Sequence, residues 1–183
     1  MRIVWLLLAA GLVAGALIFT FYGFEETPGE AAAPPAEPPR YAATGVRWLR
    51  LGSDGQPEFR VEAATFDYYA DESVALTRVR LDALGGYRSP WHIEAPRGSA
   101  PPRERQLRLA GGVRASGDLA SERVALATPR LWVDLLRREL HTDAEVKLQT
   151  EFRTATARGL RSDFDGERVQ LLNDVKMDYV PEG

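Results

Sequence analysis

The chain has 183 residues, with 23 Lys and Arg against 26 Asp and Glu, a formal net charge of -3, two histidines and no cysteine. The missing cysteines exclude disulfides, a thiol nucleophile and Cys-ligated metal sites, and the balanced charge argues against nucleic acid as a partner. This length suits one domain with a short additional segment.

Residues 1–24 are predicted to be an N-terminal transmembrane anchor. Residues 3–22 carry no charge, and a helix of that length spans roughly 30 Å, the thickness of a hydrocarbon core. Arg2 precedes the run and two glutamates follow it, so the positive-inside rule predicts a single pass with a cytoplasmic N-terminus. The alternative is a signal peptide cleaved after residues 14–16, which would leave an exposed apolar terminus.

Residues 25–40 are predicted to be a Pro/Ala-rich linker. They contain 5 of the 12 prolines and little that could pack into a core. Such a segment is a semi-extended spacer, up to roughly 3 Å per residue. It would hold the remaining domain, residues 41–183, away from the membrane.

Residues 41–183 show the period-2 pattern of half-buried β-strands. Three apolar sets alternate with polar residues and are predicted to point inward. These sets are Phe59, Val61 and Ala63; Trp91, Ile93 and Ala95; and Leu131, Val133 and Leu135. Residues 53–55, 85–86, 117–118 and 165–166 are predicted turns because of their Gly, Asp and Ser content. No segment has the period of a capped amphipathic helix, so the domain is predicted to be all-β.

A strand pattern recurs four times, starting at Val74, Leu107, Leu140 and Val169, with spacings of 33, 33 and 29 residues. A small residue precedes each start by 11 or 12 positions and is predicted to end or cross a strand; these are Ala63, Ala95, Thr128 and Ala157. The first copy is one residue shorter, which predicts a bulge or register change there, whereas the other three copies are predicted to stay in phase. Units this small must stack to bury their apolar faces. The predicted fold is an open, repeated-strand β-jellyroll of two folded-over sheets.

Motifs for catalysis and for cofactor binding are missing from the sequence. His92 and His141 are predicted to lie on the surface rather than to bind metal, and Gly111-Gly112 is interpreted as a bulge or close-packing site. The aromatic residues, Trp48 and Trp132 among them, are interpreted first as core and second as the lining of an apolar groove. A glycosidase carboxylate pair stays open as an alternative, because its members would meet only in the folded chain.

Five stretches follow one another in a recognisable order along the chain. The first is Asp54-Gly55 followed by residues 59–63 and Tyr68-Tyr69. The others are Trp91-His92-Ile93-Glu94-Ala95 with Gly98, residues 107–113, residues 128–134, and residues 169–179. In this order, and together with the N-terminal anchor, they resemble the LptC family of inner-membrane-anchored lipopolysaccharide-export proteins over the whole chain.

The resemblance implies a non-enzymatic role without a cofactor in a bridge across the periplasm. The domain would receive lipopolysaccharide from the permease subunits of an inner-membrane ABC transporter and pass it to a soluble β-jellyroll carrier. The alternative is a membrane-tethered envelope scaffold without a lipid ligand.

Two sets of residues are expected to serve that role. The first, expected to line a lipid-binding groove, is Phe59, Val61, Leu76, Trp91, Ile93, Leu107, Leu109, Val113, Leu131, Val133, Val146 and Leu171. The second, expected to form a partner-binding edge, is Val169, Leu171, Val175, Met177 and Tyr179. An opposite edge near residues 46–51 is expected to meet the permease. Exposing an acyl chain of about a dozen carbons to water would cost near 10 kcal/mol, at about 0.8 kcal/mol per CH₂, so an apolar path is needed.

Overall fold

A computed structural model describes residues 37–84, 91–104, 106–119, 122–163 and 169–179. The predicted anchor and most of the predicted linker lie outside these ranges. No helix within them is long and apolar enough to cross a membrane.

Nine antiparallel strands form one continuous sheet in chain order, from β1 to β9. The strands are β1 (Tyr41–Leu51), β2 (Pro57–Tyr68), β3 (Val74–Ala83), β4 (Trp91–Ala100), β5 (Gln106–Leu119), β6 (Glu122–Asp134), β7 (Glu139–Gln149), β8 (Arg153–Asp163) and β9 (Val169–Tyr179). The prediction of an all-β domain is confirmed. The four predicted copies correspond to β3, β5, β7 and β9, each the second strand of a hairpin.

A line of irregular positions crosses the middle of the sheet. Gly45 in β1, Arg78 in β3 and Gly159 in β8 have positive φ, and β5 carries Gly111 and Gly112 with φ of 93° and 92°. The register shifts at this line between β4 and β5, β5 and β6, β6 and β7, β7 and β8, and β8 and β9. Such bulges bend a strand and increase its twist, so each long strand contributes to two parts of the sheet.

The two parts of the bent sheet face each other as layers. We call the part that contains Phe59 layer A and the part that contains Leu131 layer B. Both residues belong to one buried cluster, at 0% and 1% exposure. Side chains of β2 in layer A also contact the β6–β7 turn in layer B, because Arg138 Nη1 lies 3.2 Å from Glu58 Oε1. The layers therefore enclose one apolar interior, and the fold is an open, jellyroll-like sheet rather than two separate sheets.

The structure changes three details of the sequence prediction. The small residues predicted to end or cross a strand, such as Ala63 and Thr128, do not end strands: they lie buried in the middle of strands, beside the bend. The bulge that was predicted for the first copy lies instead in the other three, where β5, β7 and β9 each contain one residue more than the strand they face. In β5, for example, the segment from Ala110 to Val113 is one residue longer than the facing segment of β6. Val79 and Ala95 pair without a shift, so the first copy lacks this bulge.

Two of the four predicted turns fall within the described residues. Gly55 donates its N–H to Gly52 O at 3.0 Å, which confirms the predicted turn at 53–55. The turn predicted at 117–118 is wrong, because Gly117 lies buried within β5. Gly117 faces Trp91 across the β4–β5 pair, and the ring leaves no room for a larger side chain. The turns predicted at 85–86 and 165–166 lie outside the described residues.

Candidate functional site

One transverse row of apolar side chains crosses the inner face of layer A. Successive strand registers place one residue from each of the nine strands in this row, which we call the inner row. Its members are Trp48, Val61, Leu81, Ile93, Ala115, Leu126, Leu148, Ala155 and Met177. At about 4.8 Å between strands, the eight spacings cover roughly 38 Å.

The inner row is buried in its middle and exposed at both ends. Leu81 and Ile93 are 0% and 1% exposed, whereas Trp48 in β1 and Met177 in β9 are 50% and 57% exposed. Within the described residues β1 pairs only with β2, and β9 pairs only with β8. The apolar interior therefore emerges at both free edges of the sheet. Trp48, interpreted from the sequence as a core residue, instead forms one end of this row.

The residues predicted to line the groove fall on the inner faces of both layers. Ten of them are buried, at 9% exposure or less: Phe59, Val61, Leu76, Ile93, Leu107, Leu109, Val113, Leu131, Val133 and Val146. Trp91 and Leu171 are partly buried and pack against the cluster. The structure thus brings the predicted set together, and it presents them as a closed interior.

The residues predicted to form a partner-binding edge lie on β9, which is a free edge of the sheet within the described residues. Val175, Met177 and Tyr179 are exposed, and Val169 and Leu171 are partly buried. Leu172, which was not among the predicted edge residues, is exposed on the same strand. An apolar strand with free backbone groups is suited to pairing with a strand of another protein.

A small ion network closes one end of the interior. Glu58 Oε2 lies 3.3 Å from Arg50 Nε, and Glu58 Oε1 lies 3.2 Å from Arg138 Nη1. Arg50 Nη1 donates to Leu135 O at 2.7 Å. Asp134 holds the turn that presents these groups, because its Oδ1 accepts from two successive backbone N–H groups at 2.9 Å. We call Arg50, Glu58 and Arg138 the clasp.

The outer face of layer B carries a stacked cluster. The rings of Trp132 and His141 lie 5.3 Å apart and 7° from parallel. The guanidinium of Arg130 lies 5.7 Å from the Trp132 ring and donates to both carboxylate oxygens of Asp143, at 3.0 and 3.2 Å. Trp132 was predicted first to be a core residue, but its neighbours Leu131 and Val133 point inward and place it on the outer face.

Two carboxyl groups have lowered pKa values for local reasons. Hydrogen bonding from Arg130 lowers the pKa of Asp143, and hydrogen bonds from Ser73 lower the pKa of Asp71 in the β2–β3 turn. Both groups are exposed and stabilised as anions. His92, which is exposed as predicted, has Nδ1 2.8 Å from Asp82 Oδ1. Among the described residues, no three metal-ligating side chains come together.

A bent antiparallel sheet with an apolar interior and two free edges defines an open β-jellyroll protein. The LptC family, described as "Lipopolysaccharide-assembly, LptC-related", matches residues 6–180, and the chain belongs to that family. The resemblance found in the sequence motifs is thereby confirmed. No curated protein matches the chain significantly.

A solved structure supports the fold. The crystal structure of LptH from Pseudomonas aeruginosa is similar to the chain with a TM-score of 0.51 and 10% sequence identity. The match covers 68% of this chain and 95% of LptH, which is described as the LptA homologous periplasmic component of the conserved lipopolysaccharide transport device. At this identity the likeness establishes the fold alone.

Proposed function

We propose that the protein is the membrane-anchored periplasmic component of a lipopolysaccharide export bridge. It receives lipopolysaccharide from the permease subunits of an inner-membrane ABC transporter and passes it to a soluble β-jellyroll carrier. Family membership supports the role in lipopolysaccharide assembly. No catalytic step is needed, because the work is the transfer of apolar chains between apolar surfaces.

The inner row is the observation that carries the proposal. It offers acyl chains an apolar surface from one free edge to the other, about 38 Å in all by strand spacing. A dozen methylene groups gain about 10 kcal/mol on leaving water, at about 0.8 kcal/mol each. The charged saccharide would stay in water while the chains follow the interior.

The two edges have separate roles in this proposal. The β1 edge, residues 46–51 with Trp48 at the end of the inner row, docks on the permease. The β9 edge, with Val175, Met177 and Tyr179 exposed, docks on the soluble carrier. Pairing at either edge would satisfy backbone groups and extend the apolar interior into the neighbouring domain.

Photo-crosslinking in cells tests the lipid path. A photoreactive amino acid at Leu107, on the inner face of β5, should capture lipopolysaccharide. The adjacent Arg108 is exposed on the outer face and is the matched control, because the two positions are neighbours at the same level of β5 and differ in the face they occupy. We expect at least fivefold more labelling at position 107. Equal labelling of the two positions would contradict a path through the interior.

The closed interior favours a second candidate, a tethered envelope scaffold without a lipid ligand. Phe59, Leu81 and Val133 are all 0% exposed, so acyl chains can enter only if the layers separate. Full-length protein purified in mild detergent distinguishes the two. Co-purified lipopolysaccharide supports the transport role. Protein free of lipid, combined with unlabelled position 107, supports the scaffold.

A further inference from the structure

A second transverse row lies on the outer face of layer A, one residue along each strand from the inner row. Strand registers join one residue from each of the nine strands in this outer row. Its members are Arg47, Glu62, Arg80, Glu94, Arg114, Ala127, Lys147, Thr156 and Lys176.

The first five members alternate in charge, and two of the resulting pairs form ion pairs. Arg47 Nε lies 2.8 Å from Glu62 Oε1, and Arg80 Nε lies 3.1 Å from Glu94 Oε1. Alternation of this kind neutralises an exposed sheet face. After Arg114 it stops, because β6 contributes Ala127 where a carboxylate would continue the pattern.

Two cations therefore face each other across a methyl group. Arg114 on β5 and Lys147 on β7 flank Ala127 on β6, and two strand spacings separate them by about 9.6 Å. Neither the Arg114 guanidinium nor the Lys147 ammonium makes a hydrogen bond or an ion pair within the described part of the chain. Lysine is scarce in this protein, with Lys147 and Lys176 the only two.

The surface around Arg114 and Lys147 is concave. A groove of about 790 Å³ runs along the bend and adjoins a second of about 600 Å³. Both grooves are lined by Glu94, Arg114, Ala127 and Lys147. The larger volume is in the range of small-molecule sites. Gly112 lies in its wall at φ 92°, with nothing within 4 Å of the position where a Cβ would be.

The charges that line the larger groove favour an anion. Arg80 and Glu94 pair with each other, which leaves the cations Arg78, Arg114 and Lys147 against the single carboxylate of Glu145. The difference is two positive charges. A phosphate monoester carries about -1.5 to -2 at neutral pH and matches this excess. An arginine fork and a lysine ammonium are both suited to phosphate oxygens.

The geometry points to a binding site in this groove for a phosphate monoester, held between Arg114 and Lys147. The organic group of the ligand lies over Ala127 and along the wall formed by the β5 bulge. A small phosphorylated molecule suits this groove better than an anionic bilayer does, because the protein as a whole is acidic, with a net charge of -3. The sheet separates this groove from the apolar interior, so the site is independent of the acyl path.

Phosphorus NMR of full-length protein in detergent micelles tests the site. Glucosamine 1-phosphate is the probe, and inorganic phosphate and unphosphorylated glucosamine are the comparison ligands. We expect line broadening of glucosamine 1-phosphate that decreases with added salt. Arg114→Gln or Lys147→Gln should raise its Kd about tenfold, the loss of one charge-assisted contact.

The outer row itself supplies matched controls. Lys176→Gln removes the other lysine, which lies between Asp174 and Asp178 on β9, and Arg47→Gln removes an arginine already paired with Glu62. Both should change the Kd less than twofold. All four positions are exposed on one face, and equal urea midpoints would show that the fold is kept.

Three results would overturn the assignment. The first is no broadening with wild-type protein. The second is equal loss of affinity in Lys147→Gln and Lys176→Gln, since it would indicate general charge attraction. The third is inorganic phosphate binding as tightly as glucosamine 1-phosphate, which would show that the groove does not recognise the organic group of a phosphate monoester. None of these results depends on whether the interior carries acyl chains.

Discussion

Glu58 in β2 accepts a hydrogen bond from Arg138, 80 residues later in the chain, with 3.2 Å between Oε1 and Nη1. The contact joins layer A to the β6–β7 turn of layer B. Arg50 binds the other oxygen of the same carboxylate. The three side chains of the clasp are only 21–28% exposed, so their attraction is screened less than that of surface pairs.

Glu58→Gln should destabilise the protein by about 1–3 kcal/mol, because two partly buried guanidinium groups would each lose a contact with a carboxylate. Urea unfolding of full-length protein in detergent, followed by tryptophan fluorescence, measures the change. Glu62→Gln is the matched control on the same strand. Its partner Arg47 is 72% exposed, so the loss there should stay within about 1 kcal/mol. Equal losses would show that the clasp does not hold the layers together.

Gly117→Ala should destabilise the protein by about 1–3 kcal/mol through overpacking. A Cβ at this position would lie 2.6 Å from Trp91 Cε2 and 2.8 Å from Cγ, so the indole must move. Urea unfolding measures the loss, and the double-mutant cycle with Trp91→Leu isolates its cause. The cost of Gly117→Ala should fall by at least half in the Trp91→Leu background. An unchanged loss of stability in that background would show that backbone strain, and not the contact with Trp91, causes the destabilisation.

Arg130→Gln should raise the pKa of Asp143 toward its ordinary value near 3.8, because the hydrogen bond from Arg130 is the main cause of the lowered pKa. A carboxyl group whose pKa is lowered by folding stabilises the protein at pH values above the pKa of the unfolded state. This stability is lost as the pH falls below about 4, through the pKa of the folded state. Carboxyl carbon NMR measures the titration. Arg123→Gln, beside Asp118, is the control and should leave Asp143 unchanged.

Met177→Arg should weaken docking of the soluble carrier about tenfold, as expected when about 1.4 kcal/mol of apolar contact is lost from the β9 edge. Crosslinking in cells measures the change, and contact with the permease should persist. Leu136→Arg is the control, because Leu136 is 49% exposed but lies in the β6–β7 turn. Retained carrier contact in Met177→Arg, or equal loss in both variants, would refute docking at β9.

The sequence determined which side chains face the interior. Alternation at Phe59 and Val61, and at Leu131 and Val133, follows from the period-2 geometry of a strand, and all four residues are buried. The 33-residue recurrence likewise predicted repeated hairpins. These features are local, so the order of residues encodes them directly. The motifs that resemble the LptC family also predicted the family correctly.

Tertiary structure decided how the strands align and where the sheet bends. Alternation along one strand does not reveal which residues it faces on the next strand. Neither the inner row from Trp48 to Met177 nor the position of Ala127 between two cations could therefore be found from the sequence. The bulge at Gly111 and Gly112 was expected, but its position relative to the neighbouring strands was not. The clasp joins residues 80 positions apart, and only the folding of one layer over the other brings Glu58 and Arg138 together.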